Sequence, residues 1–383
     1  MELDALRVTT VRTEQELAAL SVDYRTLIGA MPVVLPFQLP EWHVTWWRTF
    51  ATKSLAVRDS LRVLVVHRGA RCVAIAPFFA SERPAIGPLR LRMLQLFGAD
   101  PNFTEIRSVL FDPSYEEVCA RKLLAHLHSQ HDWDLVTWSG VGDGTGLARV
   151  LAEDRDASWS VPNVHFVLDL PKTFEELRKS LKRNIRESLR HGYNSLKREG
   201  HAFELQVAES PAAVAEALPH FYELHRQRAT LGETVRHADR FALRGGRAFL
   251  DAIADSLSPL GIFKVFTLRV AGAIVAVRIG FVQGKQLYLY YSGFDPAWAR
   301  YGVMTTTLAE TIRWAIDRGL TSIDLSTGND VSKTRWAPRA IGFHDVMQPH
   351  ASNRGALAAA LLSTGDRLRA GPLGKLLPVR RWE

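Results

Sequence analysis

Sulfur is scarce in this chain, which has two cysteines and five methionines among 383 residues. Cys72 stands in an apolar, strand-like run and Cys119 in a helical one, so both read as small core residues. A disulfide framework and a cysteine-ligated metal are thereby excluded, and no metal cofactor is expected. No stretch of about 18 apolar residues occurs, which excludes a membrane-spanning helix. The opening MELDALRVTT carries neither a basic nor an apolar signal region, so the expectation is a cytoplasmic protein. Low-complexity tracts are missing as well.

What is present is a globular composition, 47% hydrophobic and 23% charged, in a length sufficient for two cores. The formal charge of +8 implies an anionic partner, whether a phosphorylated cofactor, a nucleic acid or an acidic membrane surface.

One order of elements occurs twice. In the first half, LRVTTV (6–11) reads as a strand, and Thr13 with Glu16 has capping-box spacing for a helix to about Ile28. A hairpin over 61–79 turns at Gly69, and a helix over 114–130 leads into WDLVTW. In the second half, FELQV (203–207) precedes a helix capped by Ser210 with Pro211 first, running to about Arg228. A hairpin over 263–282 turns at Ala271-Gly272, and a helix over 303–318 leads into TSIDLS. Between the halves, Leu177, Leu181, Ile185 and Leu189 recur every fourth residue in one amphipathic helix over 173–199. That helix is rich in Lys and Arg, a solvated face or a surface guiding a phosphorylated donor or polyanionic acceptor.

The strand QLYLYYSGF (286–294) leaves through Asp295-Pro296 and reaches Arg300-Tyr301-Gly302-Val303-Met304 at the start of a helix. On strand alternation, Tyr288 and Tyr290 share one face and Tyr291 the other. A glycine before a helix lets backbone N–H groups approach a ligand, and the helix start offers unpaired donors and partial positive charge. Thr305, Thr306 and Thr307 add hydroxyls. Together these residues suit a phosphate group.

The element order resembles the acetyltransferase fold called GNAT, twice in tandem. This implies an α/β (α+β) protein of two GNAT-like domains, each a mixed, mainly antiparallel sheet flanked by helices. The expected domains are 1–165, a degenerate copy, and 166–350, which holds the donor, followed by a basic tail over 351–383. The loop at 300–304 resembles the GNAT pyrophosphate loop, Arg/Gln-x-x-Gly-x-Gly/Ala. It differs by one residue in spacing and carries Met304 near the family's small residue. The resemblance implies acetyl-CoA, or another acyl-CoA, held by Arg300, Gly302, Val303, Met304, Thr305 and Thr306. The first half has no such basic-x-x-Gly loop before its helix.

More closely, FQLPEWHVTWW (37–47), AIAPFF (74–79), ELHRQRATLG (223–232), YYSGFDP (290–296) and IDLSTGNDVSKTRW (323–336) resemble the CelD/BcsL branch. These are tandem-GNAT proteins associated with bacterial exopolysaccharide synthesis. The implied activity is N- or O-acetylation of an exopolysaccharide or its lipid-linked sugar precursor. The alternatives are an aminoacyl-tRNA-dependent transferase of the peptidoglycan-bridge type, the one case involving nucleic acid, and an inactive nucleotide-sensing relative.

Acyl transfer from a thioester needs a base, an oxyanion donor and an acid for the leaving thiolate. Asp295 stands where the strand opens toward the loop and could be the base, or simply a turn residue of the Asp-Pro pair. Tyr291 or Tyr290 could protonate the thiolate, as strand-end tyrosines do in many GNAT enzymes, or could pack in the cleft. Lys333 with Trp336 looks like the lysine that peptidoglycan-bridge relatives keep near the reacting carbonyl. His225 suits proton transfer, and with Arg228 it stands where the CelD/BcsL branch repeats a histidine, which implies an acceptor site. Asp324 and Asn329 could bond the acceptor's hydroxyls. Trp42 and Trp46 share a helix face and read as core. In the tail, a helix from Ala356 could lie on the inner membrane or dock on the second domain. Arg380 and Arg381 could grip a cyclic dinucleotide.

Overall fold

A computed structural model describes residues 5–84, 90–100, 103–231 and 238–360. The chain forms two units, one from the residues up to Asn163 together with those from Gly342 on, the other from Val164–Ile341. The second unit is therefore shorter than the 166–350 expected. The reason is a strand: Phe343–Pro349 pairs antiparallel with Leu135–Gly142 of the first unit.

In the first unit, Thr13 closes a capping box with Glu16 as its spacing predicts, although the helix breaks at Leu20 into Glu14–Ala19 and Ser21–Ala30. Strands Leu6–Val11, Val63–Arg68, Arg71–Ala76 and Leu110–Phe111 lie in that order in one sheet. Arg58–Leu61 and Phe78–Arg83, which flank the hairpin, instead pair with each other in a second sheet. The helix Pro40–Phe50 turns Trp42 and Trp46 inward, where both are fully buried, and Trp46 stacks on Phe97. Both cysteines are buried and free. The helix Glu116–His128 begins with two carboxylates, Glu116 and Glu117, and these repel a phosphate at its start.

The second unit repeats the order with longer strands. It is built from β1 (Asn163–Asp169), α1 (Phe174–Ser180), α2 (Arg183–Arg198), β2 (Phe203–Ala208) and α3 (Pro211–Ala229), followed by α4 (Gly246–Leu257), β3 (Phe263–Val270), β4 (Ala273–Gln283), β5 (Gln286–Phe294), α5 (Val303–Asp317) and β6 (Ser322–Thr327). The sheet order is β2-β3-β4-β5-β6-β1. Ladders β2–β3, β3–β4, β4–β5 and β6–β1 are antiparallel, and only β5–β6 is parallel.

Local chemistry explains the boundaries. Ser210 Oγ accepts the Ala213 N–H, and Pro211 begins α3 at no cost because its missing N–H would be unpaired there. Ala271 and Gly272 take left-handed conformations in the two-residue β3–β4 turn. The single helix expected over 173–199 is two, because Leu181 is extended. Its apolar stripe survives the break: Leu177, Leu181, Ile185 and Leu189 all enter one core with Leu308, Ile312 and Ile323. At about 1.5–3 kcal/mol per buried aliphatic side chain, this face fixes α1 and α2 on the unit. Among the described residues no helix is long and apolar enough to cross a membrane.

The start of the tail docks on the first unit rather than the second. Residues 353–360 are helical, and Arg354 reaches Asp134 at 3.1 Å and the Arg90 carbonyl at 2.7 Å. Burial pushes the Asp134 carboxyl up, but hydrogen bonds from Arg92 and Arg354 outweigh it and bring the pKa to about 2. Because this lies below the ordinary 3.8, the stabilisation is full above that value and disappears as the pH falls toward 2. Asp134→Asn should therefore cost about 2 kcal/mol at pH 6. In denaturant titrations the gap from wild type should narrow below about pH 4 and close near about pH 2. Equal stability at every pH would remove the pin.

Candidate functional site

β5 and β6 are hydrogen-bonded partners only over Gln286–Tyr288 and Ser322–Asp324, so beyond Tyr288 the two strands run without a shared ladder. On the other edge, the β4–β5 register slips between Arg278 and Gly280, which sets Tyr290 and Tyr291 together opposite Ile279. This bulge overrides the alternation that put the two tyrosines on opposite faces, and their rings lie 4.4 Å apart.

After β5, Asp295 Oδ1 accepts the Ala297 N–H at 2.9 Å and caps a 3₁₀ turn, Pro296–Tyr301. Gly302 then adopts φ 65°, ψ 33°, a conformation that glycine reaches without penalty. A side chain built there would meet nothing within 4 Å, so the space before the glycine is open. Its carbonyl takes the Thr305 and Thr306 N–H groups, while the first helical donors, Val303 and Met304, have no acceptor within the helix. The 15 residues of α5 align their peptide dipoles behind this point.

Of the side chains assigned here from sequence, Thr305 fits. It accepts from the Arg335 guanidinium at 2.5 Å. Thr306 and Thr307 do not fit, because their hydroxyls turn back onto the Gly302 and Val303 carbonyls and both are buried. Met304 packs on the cluster of Leu196, Phe294 and Tyr301. Arg300 is exposed and leans over the Tyr301 ring toward Glu199, whose carboxylate also accepts the Tyr301 hydroxyl. Its charge is thus partly neutralised, while Arg335, missed in the sequence reading, brings a cation to Thr305 in the first turn of α5. Burial lowers the Arg335 pKa, with Asp330 opposing. No local signal could have found Arg335, 33 positions beyond Gly302. Gly192 was also missed; a Cβ on it would lie 2.8 Å from Thr306 Oγ1 and 3.4 Å from the Tyr301 carbonyl. Its bare backbone lets α2 pack against the loop.

Four residues assigned to the acceptor or to catalysis lie around β6. Asp324 is fully buried, bonded to His165 Nδ1 at 2.6 Å and to the Ser326 N–H at 2.9 Å. It holds the strand end together and does not face an acceptor. Trp336 is also a core residue, 1% exposed among Leu168, Ile323 and Leu325, so it offers no stacking surface. Asn329 is exposed. Lys333 bonds the Thr327 carbonyl at the end of β6.

The structure brings another group together on the α3 side of β5. His225 Nδ1 lies 3.0 Å from the Ser292 carbonyl, a pure acceptor, so Nδ1 carries the proton and Nε2 is bare. The ring packs among Phe221, Phe241 and Tyr291, and burial lowers its pKa. Arg228 bonds Ser292 Oγ at 2.9 Å. This closeness requires Gly293, where a Cβ would fall 2.3 Å from the His225 nitrogen. Arg380 and Arg381 lie outside the described residues.

Residues 183–336 match the family described as Acetyltransferase (GNAT) domain. No curated protein matches the chain. Among solved structures, FemX superposes with a TM-score of 0.59 at 12% identity, covering 88% of this chain and 96% of that one. The C-terminal domain of a putative lysylphosphatidylglycerol synthetase from Agrobacterium fabrum gives 0.51 at 12%, over 92% and 96%. A conserved protein of unknown function from Bacteroides thetaiotaomicron gives 0.50 at 13%, over 88% and 99%. At such identities the likeness is one of fold. With its open glycine loop at the start of α5, the segment 183–336 is similar to GNAT acetyltransferase domains, and the chain that carries it is an acyltransferase.

Proposed function

We propose that the second unit moves an acetyl group from acetyl-CoA to an amino or hydroxyl group of a saccharide, either an exopolysaccharide or its lipid-linked precursor, as in the CelD/BcsL branch. One observation carries the donor assignment. Left-handed Gly302 leaves open space before two unpaired N–H groups, those of Val303 and Met304, with Thr305 and Arg335 beside them. That arrangement suits a diphosphate. Bound acyl-CoA supplies the thioester to be cleaved.

The chain's own groups divide the remaining work. His225 Nε2, unprotonated at neutral pH, takes the acceptor's proton, with Asp295 as the other candidate base. The Lys333 ammonium, released from the Thr327 carbonyl, stabilises the oxyanion that forms on the acyl carbon. Tyr291 in the bulge gives a proton to the departing thiolate. A second reading, transfer from aminoacyl-tRNA, draws support from α2 and its N-cap, where Lys182, Arg186 and Arg190 are exposed at four-residue spacing and would suit a polyanion.

Three measurements test this function. Acetyl-CoA should bind the wild-type chain by calorimetry. Gly302→Val should weaken it by about tenfold or more, since a non-glycine residue pays about 1–2 kcal/mol in the left-handed region. Heat with charged tRNA and none with acetyl-CoA would favour the second reading. With glucosamine as acceptor probe, Lys333→Ala should lower kcat by about 10²–10³ and leave the KM for acetyl-CoA nearly unchanged. Full kcat in that variant would remove the lysine from the mechanism. Protonating Nε2 abolishes the base, and burial holds its pKa below the ordinary 6.5. The acid limb of kcat/KM should therefore lie below pH 6.5 and vanish in His225→Gln.

A further inference from the structure

Arg278 stands in the middle of β4, directly across the ladder from Ser292 of β5. The last turn of α3 lays Arg228 on the same serine, 2.9 Å from its hydroxyl. Two guanidinium groups thus share one face of the sheet, over one residue. Arg278 is half-buried. Among the described residues its guanidinium has no hydrogen bond and no ion pair, and its Nε is buried without a partner.

Three other enclosed cations meet carboxylates. Arg62 pairs with Asp132 at 2.7 Å, Arg92 with Asp134 at 2.9 Å, and Lys264 with Glu209 at 3.2 Å. Burial, then the neighbouring Arg228, push the Arg278 pKa down to about 10, and Asp330 pulls it back. A cation taken from water beside another cation is unfavourable until an anion arrives. Two planar forks present paired donors, which match the oxygens of a phosphate or carboxylate. Ser292 also holds His225 through its carbonyl, so an anion here sits one residue from the proposed base.

We propose that Arg228 and Arg278 form an oxyanion-binding subsite for the acceptor, so that the molecule acetylated carries a phosphate or a carboxylate. This rests on the acceptor side of the function proposed above and specifies its substrate class. A neutral sugar would leave the Arg278 charge uncompensated.

Calorimetric titration of the full chain with glucose 1-phosphate, glucuronate and glucose tests the subsite, because the three share a ring and differ in charge. Wild type should bind one of the two anionic sugars at least about tenfold more tightly than glucose, the effect of a charge-assisted pair, and the preferred one tells phosphate from carboxylate. Arg278→Gln should lose that preference, and Arg278→Lys should keep part of it. Arg278→Gln should also melt no lower than wild type, since it removes an unpaired, half-buried charge. Equal binding of the three sugars by wild type, a preference retained in Arg278→Gln, or a lower melting point for that variant would each overturn the proposal. The titrations are run with and without saturating CoA. Failure of CoA to bind therefore strikes the donor assignment alone, and the sugar series still decides the subsite.

Discussion

The second unit depends on two backbones being allowed to touch. Gly293 lets α3 lie against β5 so closely that any side chain would collide with the His225 nitrogen. That contact brings His225 and Arg228 to Ser292, and it occurs where β5 no longer shares a ladder with β6. A strand that has lost a neighbour on one edge must be supported from its face, and here a helix does so. Gly192 plays the corresponding part for the loop, holding α2 against Tyr301 and Thr306. Helix supports on glycine seats thus keep a gap open in a sheet that hydrogen bonding would otherwise close.

The frame of this unit was legible because its signals are local. Caps at Thr173 and Ser210, the left-handed Ala271-Gly272 turn and the four-residue stripe on α1 and α2 each act within a few residues of where they are read. Gly302 was legible for the same reason, since a left-handed residue before a helix needs a glycine. The site's partners were not legible in that way. Arg335 reaches Thr305, Arg278 faces Ser292 and His165 meets Asp324 only through the tertiary fold. Misassignments followed from reading polar, loop-like sequence as exposed: Asp324 and Trp336 sit in IDLSTGNDVSKTRW yet are buried. The bulge at Tyr290–Tyr291 shifts side chains by one position, which no alternation rule foresees.

The two units show how small a change separates a helix start closed by acidic side chains from an open one. Both place a helix after a meander. One helix starts from left-handed Gly302 with no acidic residue in its first turn, whereas the other starts with Glu116 and Glu117. Glu116 accepts the Leu147 N–H, and Glu117 pairs with Arg121 and Arg149. The same helix dipole is used for cohesion in one unit and left available in the other.

The order of segments along the chain has a consequence for biosynthesis. Val164–Ile341 is contiguous, while the first unit is completed by residues from Gly342 on. A ribosome releasing the chain from its N-terminus delivers every strand of the inner unit before the outer unit receives Phe343–Pro349, which pairs with Leu135–Gly142. The edge of Leu135–Gly142 therefore waits, unpaired on that side, through the synthesis of nearly two hundred further residues, about ten to forty seconds at ordinary elongation rates. An exposed edge of that kind invites pairing with another chain, and the vulnerable period of this protein ends only when its C-terminal strand emerges.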